Sequence, residues 1–316
     1  MGYNYLVTGG AGFIGSNLVG ALVERGENVR VVDDFSTGKR ENLDGWLNRI
    51  DLIEGSLVEE EVCRRAVEGM DHVLHQAALA SVARSVDDPA ATDRVNVGGT
   101  VRLLAAAKEA RVRRVIYAAS SSAYGDVDVP AKIETLTPQP KSPYAVSKLA
   151  GEYYCQAFHT VYGLETISLR YFNVFGPNQD PSSPYSAVIP LFITAALDGR
   201  RPTIYGDGCQ SRDFSYVANV VHANLLAAEA PARAVGQVFN VACGESVDLL
   251  TLLEEIQRIV GITVEPHFVP PRPGDVRHSL ADLTAAHDLL GYAPIVGFEE
   301  GLERTIEWYR GHRGRW

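Results

Sequence analysis

Through the first half of the chain, short apolar runs alternate with longer stretches whose apolar positions recur at helical spacing. The runs fall at 4–7, 29–33, 51–54, 72–75, 114–118 and 166–170. Each has strand length and is bounded by turn-forming residues. The amphipathic stretches lie between them, at 13–25, 58–68, 93–110 and 143–162. Alternation of this kind predicts parallel βαβ units wound onto both faces of one sheet. Beyond Gly176-Pro177 the alternation becomes irregular. Helical patterns near 187–198, 217–230, 248–259 and 298–310 are separated by short apolar runs, and loop 177–185 is rich in Pro and Ser. The prediction is an α/β protein, with a doubly wound parallel sheet over 1–175 and a smaller C-terminal α/β region over 176–316.

The first strand-to-helix junction carries the strongest chemical signal. Thr8-Gly9-Gly10-Ala11-Gly12-Phe13-Ile14-Gly15-Ser16 follows the run Tyr5-Leu6-Val7 and opens the first helix. A pyrophosphate must approach the backbone closely there and meet the free N–H groups of a helix start. Side chains at Gly9 and Gly12 would block that approach, and Gly15 would let the helix pack tightly on the strand. The second run, Val29-Arg30-Val31-Val32, ends in Asp33, about 20 residues after the loop, where a carboxylate grips the adenosine ribose. That carboxylate accepts hydrogen bonds from both ribose hydroxyls and repels a 2′-phosphate, and Asp34 adds to the repulsion. Lys39 and Arg40 lie nearby and read as a solvated loop rather than as phosphate ligands. The predicted cofactor is NAD, in a Rossmann-type domain.

Other strand ends fit that reading. The third run leads into Gly55-Ser56-Leu57, at the adenine edge. The fourth runs into His75-Gln76-Ala77-Ala78, where two small residues suit either close passage of a cofactor or simple tight packing. His75 continues an apolar strand and reads as a packed histidine. Asn96 either fixes strand ends around the cofactor or serves as a structural hydrogen-bond partner. The fifth run ends at Ser120-Ser121-Ser122. Further on, Ser142 is a good N-cap and Pro143 a good first helical residue. Tyr144 and Lys148 then lie four apart on one helical face. A phenol ordinarily titrates at about 10. A neighbouring lysine cation would lower that value and make Tyr144 a general base near neutrality.

Taken together, these stretches resemble the extended short-chain dehydrogenase/reductase family, specifically its nucleotide-sugar 4-epimerases. The matching segments are TGGAGFIGS (8–16), VVDDFSTG (31–38), HQAA (75–78), SSSAYG (120–125), SPYAVSK (142–148), RYFNVFGP (170–177), SRDFSYV (211–217) and RPGDVRHSLAD (272–282). They span essentially the whole chain. The resemblance implies that Tyr144 is the base, that Lys148 binds the nicotinamide ribose and activates it, and that Ser120 polarises the sugar O4. It implies cofactor contacts at Gly9, Gly12, Phe13, Ile14, Asp33, Ser36, Thr37, Gly38, Ser56, Leu57, Ala77, Ala78, Asn96 and Tyr171. At Ser56 the chain departs from the commoner Asp, which weakens the adenine contact. It implies a UDP-sugar held by the C-terminal half, with a strand near 237–241 returning to the sheet. Arg212 and Arg272 would bind the diphosphate, since a guanidinium takes phosphate in a bidentate way. Asp275 would hold the uridine ribose. Ser81, Ser121, Ser122, Asn173, Ala187, Val188 and Tyr205 would complete the pocket. A small residue at Ser279 would leave room for an N-acetyl group at C2. It implies a homodimer paired through helices 93–110 and 143–162.

The implied reaction is NAD-dependent C4 epimerisation of a UDP-hexose through a 4-keto intermediate. The expected sugars are UDP-N-acetylglucosamine and UDP-N-acetylgalactosamine, with UDP-glucose and UDP-galactose also used. One rival is UDP-glucuronate 4-epimerisation, which needs a cation near C6, for which Arg84 is the nearest candidate. A second is a 4,6-dehydratase, but its relatives carry Asp-Glu where this chain has Ser121 and Ser122. A third is a non-catalytic NAD-binding protein. The totals agree with a small-molecule enzyme. The 316 residues give a formal net charge of −10, which argues against nucleic-acid and anionic-membrane partners. There is no secretory pattern and no apolar stretch long enough to span a bilayer. Cys63, Cys155, Cys209 and Cys243 show neither C-x-x-C nor metal-ligand spacing. Reduced thiols in a cytoplasmic protein without a metal are the expectation.

Overall fold

The computed structural model describes residues 2–182, 187–271 and 277–315. Six strands come from the first half: β1 (Asn4–Thr8), β2 (Asn28–Asp33), β3 (Ile50–Glu54), β4 (His72–His75), β5 (Arg114–Ser120) and β6 (Glu165–Tyr171). A further strand, Val238–Val241, returns from the C-terminal half and pairs parallel with β6. The sheet order is Val238–Val241, β6, β5, β4, β1, β2, β3, and every pairing is parallel. The winding reverses between β1 and β4, so their carboxyl ends open a crevice, the place where ligands enter such sheets. Burial on both faces explains the near-continuous apolar runs.

The helices are α1 (Phe13–Glu24), α2 (Glu60–Val67), α3 (Val82–Asp87), α4 (Pro89–Asp93), α5 (Gly99–Glu109), α6 (Pro143–Tyr162), α7 (Val188–Leu197), α8 (Val217–Glu229), α9 (Leu249–Val260), α10 (Thr284–Leu290) and α11 (Phe298–Gly311). One face of the sheet packs on α1, α8 and α10 through Leu18, Val19, Leu22, Val220, Ala223, Ala286 and Leu290. The other packs on α2, α5 and α6 through Val62, Ala66, Leu103, Leu104 and Cys155. The C-terminal half builds its own core from Phe175, Phe192, Ile193, Phe214, Leu252, Ile256, Phe298 and Leu302.

Two departures from the expected pattern have physical causes. The predicted helix over 93–110 is interrupted: α4 ends at Asp93 and a π-helical turn spans Arg94–Gly98 before α5 begins. The pair Gly98-Gly99 weakens helix propensity there, and the wide turn holds Asn96 almost fully buried. Helix α3 was not signalled because its large apolar residues, Val82 and Val86, are exposed and leave no core-facing periodicity. Helix α6 starts as expected: the Ser142 hydroxyl accepts from the Ala145 N–H (3.1 Å), Pro143 is the first helical residue, and Gly163 ends it with φ 71°. A buried ion pair ties α6 to the sheet. Arg170 on β6 donates to both oxygens of Glu152, at 2.7 and 2.9 Å.

At the amino end of the central strand β4, His72 is buried with neither ring nitrogen hydrogen-bonded. Its ring stacks on Tyr5 (5.0 Å between centroids) and meets the edge of Tyr3 (5.1 Å). Burial, helped by the Arg113 and Arg114 cations, pushes its pKa down to about 4. The unfolded chain, with a histidine near about 6.5, therefore binds more protons between those values. The contribution is fully present above that unfolded value and is lost as pH falls through the window. Replacing the orphaned ring with His72→Phe should keep the packing and stabilise the fold by about 1 kcal/mol at pH 7. It should also flatten part of the decline of the melting temperature with acid; His75, His222 and the depressed carboxylates of Asp180, Asp207 and Asp248 contribute to the remainder. An unchanged acid profile in this variant would contradict the assignment.

Candidate active site

The glycine loop is built by close backbone contacts. The Gly9 N–H donates to Val32 O at 2.8 Å, and Gly9 adopts φ 67°, in the left-handed region. A Cβ there would sit 2.8 Å from the Ala77 backbone, so the ends of β1 and β4 nearly touch. At Gly15 a Cβ would fall 2.1 Å from Gly9 O. Glycine is needed at that position by the turn itself, not by helix–strand packing as the sequence suggested. The strand-side contact falls at Gly10, where a Cβ would meet Val31 at 2.6 Å. Gly12 is less constrained, with 3.2 Å to Gly9 O, and it presents the start of α1 without a capping side chain. Phe13 and Ile14 pack against the C-terminal core.

Asp33 ends β2 almost buried. Its Oδ2 accepts from the Ala11 N–H (2.9 Å) and its Oδ1 from the Phe35 N–H (2.8 Å). Burial pushes its pKa up while the two amides pull it down. Asp34 accepts from the Ser36 N–H at 2.9 Å, which shapes the turn leading through Thr37. A Cβ at Gly38 would lie 2.9 Å from Asp33 Oδ1. The two nearby cations are pinned rather than loosely solvated. Lys39 pairs with Asp180 at 3.3 Å, and Arg40 pairs with Glu54 and lies 4.4 Å over the Phe35 ring. Ser56 and Leu57 follow β3, and Leu57 is buried.

A chain of hydrogen bonds runs beneath the crevice. The Ala77 N–H donates to Thr8 Oγ1 (3.2 Å), and Thr8 Oγ1 lies 2.7 Å from His75 Nδ1. His75 Nε2 lies 2.9 Å from Thr100 Oγ1, whose hydroxyl donates to Asn96 O. Because the Thr100 proton is used on Asn96, the network assigns the His75 proton to Nε2. Burial and the Lys148 cation push His75 down to about 3. Asn96 clasps Leu79 through N–H and C=O (2.8 and 3.3 Å) and donates to Ser147 at 2.9 Å. Its side chain thus braces Ala78-Leu79 against α6. Behind Ala77, the Asn224 amide donates to the Tyr171 hydroxyl (2.8 Å), and Gln76 bonds both partners.

Ser120 ends β5, and its Oγ accepts from the Ser122 N–H (3.2 Å) and the Ser122 hydroxyl (2.8 Å). With two donors on its oxygen, the Ser120 proton is free to turn toward Tyr144, whose burial-raised pKa the Ser120 hydroxyl lowers. Lys148 is buried, donates to Ala118 O at 2.8 Å and sits 5.1 Å from the Tyr117 ring centre. Burial lowers its pKa to about 8. Burial also raises the Tyr144 phenol, with the Ser120 hydrogen bond opposing it. The expected lowering by Lys148 is therefore not what this geometry yields. Sharing a helical face does not aim the ammonium at the phenol, and desolvation dominates.

On the substrate side, Ser81 caps α3 by accepting from the Arg84 N–H (3.1 Å). Ser121 opens the turn after β5. Ala187 caps α7, which begins at Val188, and Tyr205 ends a short strand. Asn173 donates to Asp213 O at 3.4 Å. Arg212 donates to Ser211 O at 2.9 Å, and the nearly buried Ser279 binds the same carbonyl through its N–H at 3.2 Å. Arg272 and Asp275 lie outside the described residues. The structure also singles out Asp213, to which sequence reasoning assigned no role. An acidic residue inside SRDFSYV, beside a core phenylalanine, was the available signal.

The cradle fits a dinucleotide. A Cβ at Gly9 or Gly15 would close it, the start of α1 is open, and Asp33 keeps acceptor capacity beyond its two amide bonds. A parallel sheet with this loop, and Ser120, Tyr144 and Lys148 at the neighbouring strand end, places the chain among short-chain dehydrogenase/reductase-type proteins. The comparison with known sequences makes the family specific: residues 5–242 match the NAD dependent epimerase/dehydratase family, and the chain belongs to it. It is 41% identical over 309 residues to the UDP-glucose 4-epimerase of Mycolicibacterium smegmatis, covering 96% of this chain and 98% of that one. Among solved structures, it resembles the UDP-glucose 4-epimerase of Thermotoga maritima, determined with UDP-glucose. That match has 41% identity and a TM-score of 0.93, over 98% of this chain and 99% of that one. It also resembles the UDP-N-acetylglucosamine 4-epimerase of Methanobrevibacter ruminantium, determined with UDP-N-acetylmuramic acid. There the identity is 40% and the TM-score 0.94, over 98% and 99% of the two chains. No described helix is long and apolar enough to cross a membrane.

Proposed function

We propose that this chain is an NAD-dependent UDP-sugar 4-epimerase. The observation that carries the reading is the buried Tyr144 phenol near the start of α6, its pKa raised by burial against the lowering by the neighbouring Ser120, one turn before Lys148 at the carboxyl end of the sheet. Bound NAD supplies reversible hydride acceptance. Tyr144 takes the proton of the sugar C4 hydroxyl as that carbon is oxidised. Ser120, its oxygen already occupied by Ser122, donates to O4 and stabilises the charge that develops there. The 4-keto sugar turns over in the pocket, hydrogen returns to the opposite face of C4, and Tyr144 gives the proton back to O4. The cycle would thus carry no net redox change. Lys148 would bind the nicotinamide ribose. Because burial holds the phenol above its ordinary value, Tyr144 depends on positive charge brought by the cofactor and Lys148 to act near neutrality. Elimination of water, as in a 4,6-dehydratase, needs an acid and a base where Ser121 and Ser122 stand. Of the substrate contacts, Arg212 is assigned to the diphosphate and Asn173 to a phosphate or sugar oxygen. Arg272 and Asp275 remain assigned on the family motif alone.

Of the two helices expected to pair in a homodimer, 143–162 (α6) keeps that assignment, while 93–110 exposes no large apolar side chain among the described residues and gives way to α3. Val82, Val86, Val146, Tyr153 and Val161 are exposed on α3 and α6, and the three on α6 recur at positions sharing one helical stripe. A two-fold pair would cover this apolar face. Light scattering at micromolar concentration should give twice the chain mass, and a strictly monomeric mass would refute the pairing.

Product analysis by NMR tests the reaction directly, because only an epimerase inverts C4 without net redox change. Tyr144→Phe should keep the fold and bound NAD but lose about three orders of magnitude in turnover. Near-normal turnover would remove Tyr144 from its role.

The sugar assignment rests on Ser279, which is small and held close to Ser211. The N-acetylated pair should be turned over, with UDP-glucose and UDP-galactose also accepted, because a missing substituent in a roomy pocket costs only about 1–3 kcal/mol. Ser279→Tyr should lose the N-acetylated sugars and keep UDP-galactose. If it still epimerises UDP-N-acetylglucosamine like the wild type, another residue is the gate.

A further inference from the structure

Asp213 is fully buried, and three backbone amides converge on its carboxylate. Oδ1 accepts from the Cys243 N–H at 2.9 Å, and Oδ2 accepts from Gly244 and Ala281 at 3.1 and 3.2 Å. These donors come from two separate segments: the turn after strand Val238–Val241, and the stretch Arg277–Ala281. The latter stretch is also laid along Ser211, whose N–H donates to Arg277 O (2.9 Å) and whose carbonyl accepts from the Ser279 N–H (3.2 Å). Ser279 is thus fixed on both sides, by Ser211 before it and by Asp213 through Ala281 after it. Arg212 stands between those two anchors, and the Asp213 carbonyl accepts from Asn173. Three residues assigned to the substrate meet around one buried carboxylate that would touch none of it.

We propose that Asp213 is a positioning residue for the UDP-sugar. Its carboxylate clamps Arg277–Ala281 and the Cys243-Gly244 turn onto the strand carrying Arg212, so that sugar-nucleotide affinity depends on it while proton transfer at Tyr144 does not. The inference rests on the UDP-sugar reading above. The chemistry of the clamp demands an acceptor-only group. An asparagine could serve one side, but its NH₂ would face an N–H on the other. A protonated acid meets the same difficulty, because its O–H would point at a donor. Burial nonetheless raises the Asp213 pKa to about 6, against the pull of the three amides. The exposed Glu245 raises it further. The sign follows: native protein binds this proton more readily than unfolded chain. The charged form therefore costs stability above that pH, and the cost is relieved as pH falls through the window. A group kept charged at neutral pH against its own contribution to stability points to a requirement beyond folding. The Cys243 thiol and the Tyr292 phenol also lie close, both pushed up by burial, while Arg212, Arg277 and His278 are carried on the clamped segments, Arg277 pairing with Asp207 and His278 bonding Ser211.

The test is calorimetric binding of UDP-glucose to the NAD-loaded protein from pH 7.5 to pH 5, a range in which the doubly esterified diphosphate keeps its charge. Wild-type affinity should fall about tenfold across this range, as one proton fills a site titrating one unit above the lower limit. Asp213→Asn should bind about tenfold more weakly at pH 7.5, show a flat pH profile, and raise KM with kcat held within about twofold. NAD content should be unchanged. His278→Gln should keep the wild-type profile, separating this imidazole from the carboxylate. A wild-type affinity that is flat with pH overturns the proposal even if Asp213→Asn fails to fold. So does an Asp213→Asn that binds like wild type, or one that loses kcat with KM unmoved. A wild-type protein that does not bind UDP-glucose at pH 7.5 sinks the functional reading and the proposal together.

Discussion

The near-contact between Gly9 and the Ala77 backbone is the constraint on which the rest of the molecule depends. Two parallel strand ends cannot approach to that distance if either presents a side chain at the crossing. Once they do, the winding reversal between β1 and β4 becomes a narrow crevice floored by backbone. The turn is then closed by Gly15 against Gly9 O, and the start of α1 is aimed along the crevice. The hydrogen-bonded chain from Ala77 through Thr8, His75 and Thr100 to Asn96 holds β4 at this height. Asn96 then passes the constraint to α6 through Ser147. The helix carrying Tyr144 and Lys148 is therefore referenced to the same loop that would hold the cofactor, and this is how a fold converts backbone sterics into catalytic alignment.

Proton inventory follows from burial more than from pairing. His75 and Lys148 are pushed toward their neutral forms, while Tyr144 is pushed toward its own. Without added positive charge the site would be a poor base at pH 7. On the proposed reading, the phenol would stay protonated until a cationic nicotinamide and its ribose arrive, which would tie acid–base competence to cofactor occupancy.

Much of this was legible in the chain because two-sided burial writes strands as uninterrupted apolar runs, and because Ser142-Pro143 and the glycine loop are local signals whose meaning does not depend on distant contacts. The illegible features share the opposite property. The π-helical turn at Arg94–Gly98 exists because Asn96 must reach Leu79 and Ser147, partners 17 and 51 residues away. The same holds for α3, whose exposed valines gave no core-facing period. It also holds for Lys148: spacing placed it on the face of Tyr144, but only the folded sheet offers it Ala118 O. Gly15 was correctly singled out for the wrong contact, since its crowding comes from a turn that is visible only in three dimensions.

Besides the apolar packing of α8, α10 and the returning strand on the sheet, the two halves of the molecule are joined by buried polar groups, and the choice of groups is informative. On the sheet side, Arg170 is saturated by Glu152 and lies 4.6 Å from the Tyr124 ring centre, while Tyr124 donates to Asn240 on the returning strand. Every charge there has a partner, so that joint is permanent across the physiological range. On the substrate side, Asp213 faces only amides, and its charge is held by oriented dipoles alone. A paired joint resists both pH and ligand. A dipole-held carboxylate is weaker, because protonation removes acceptor capacity and its donors are spread over two separate segments. The contrast places the paired joint under the helix that carries Tyr144 and the dipole-held one under the segment assigned above to the sugar-nucleotide. On the proposed 4-epimerase reading, an intermediate that rotates between two half-reactions would use that division: fixed proton-transfer atoms on one wall, and on the other a grip that would hold the nucleotide while the sugar turns.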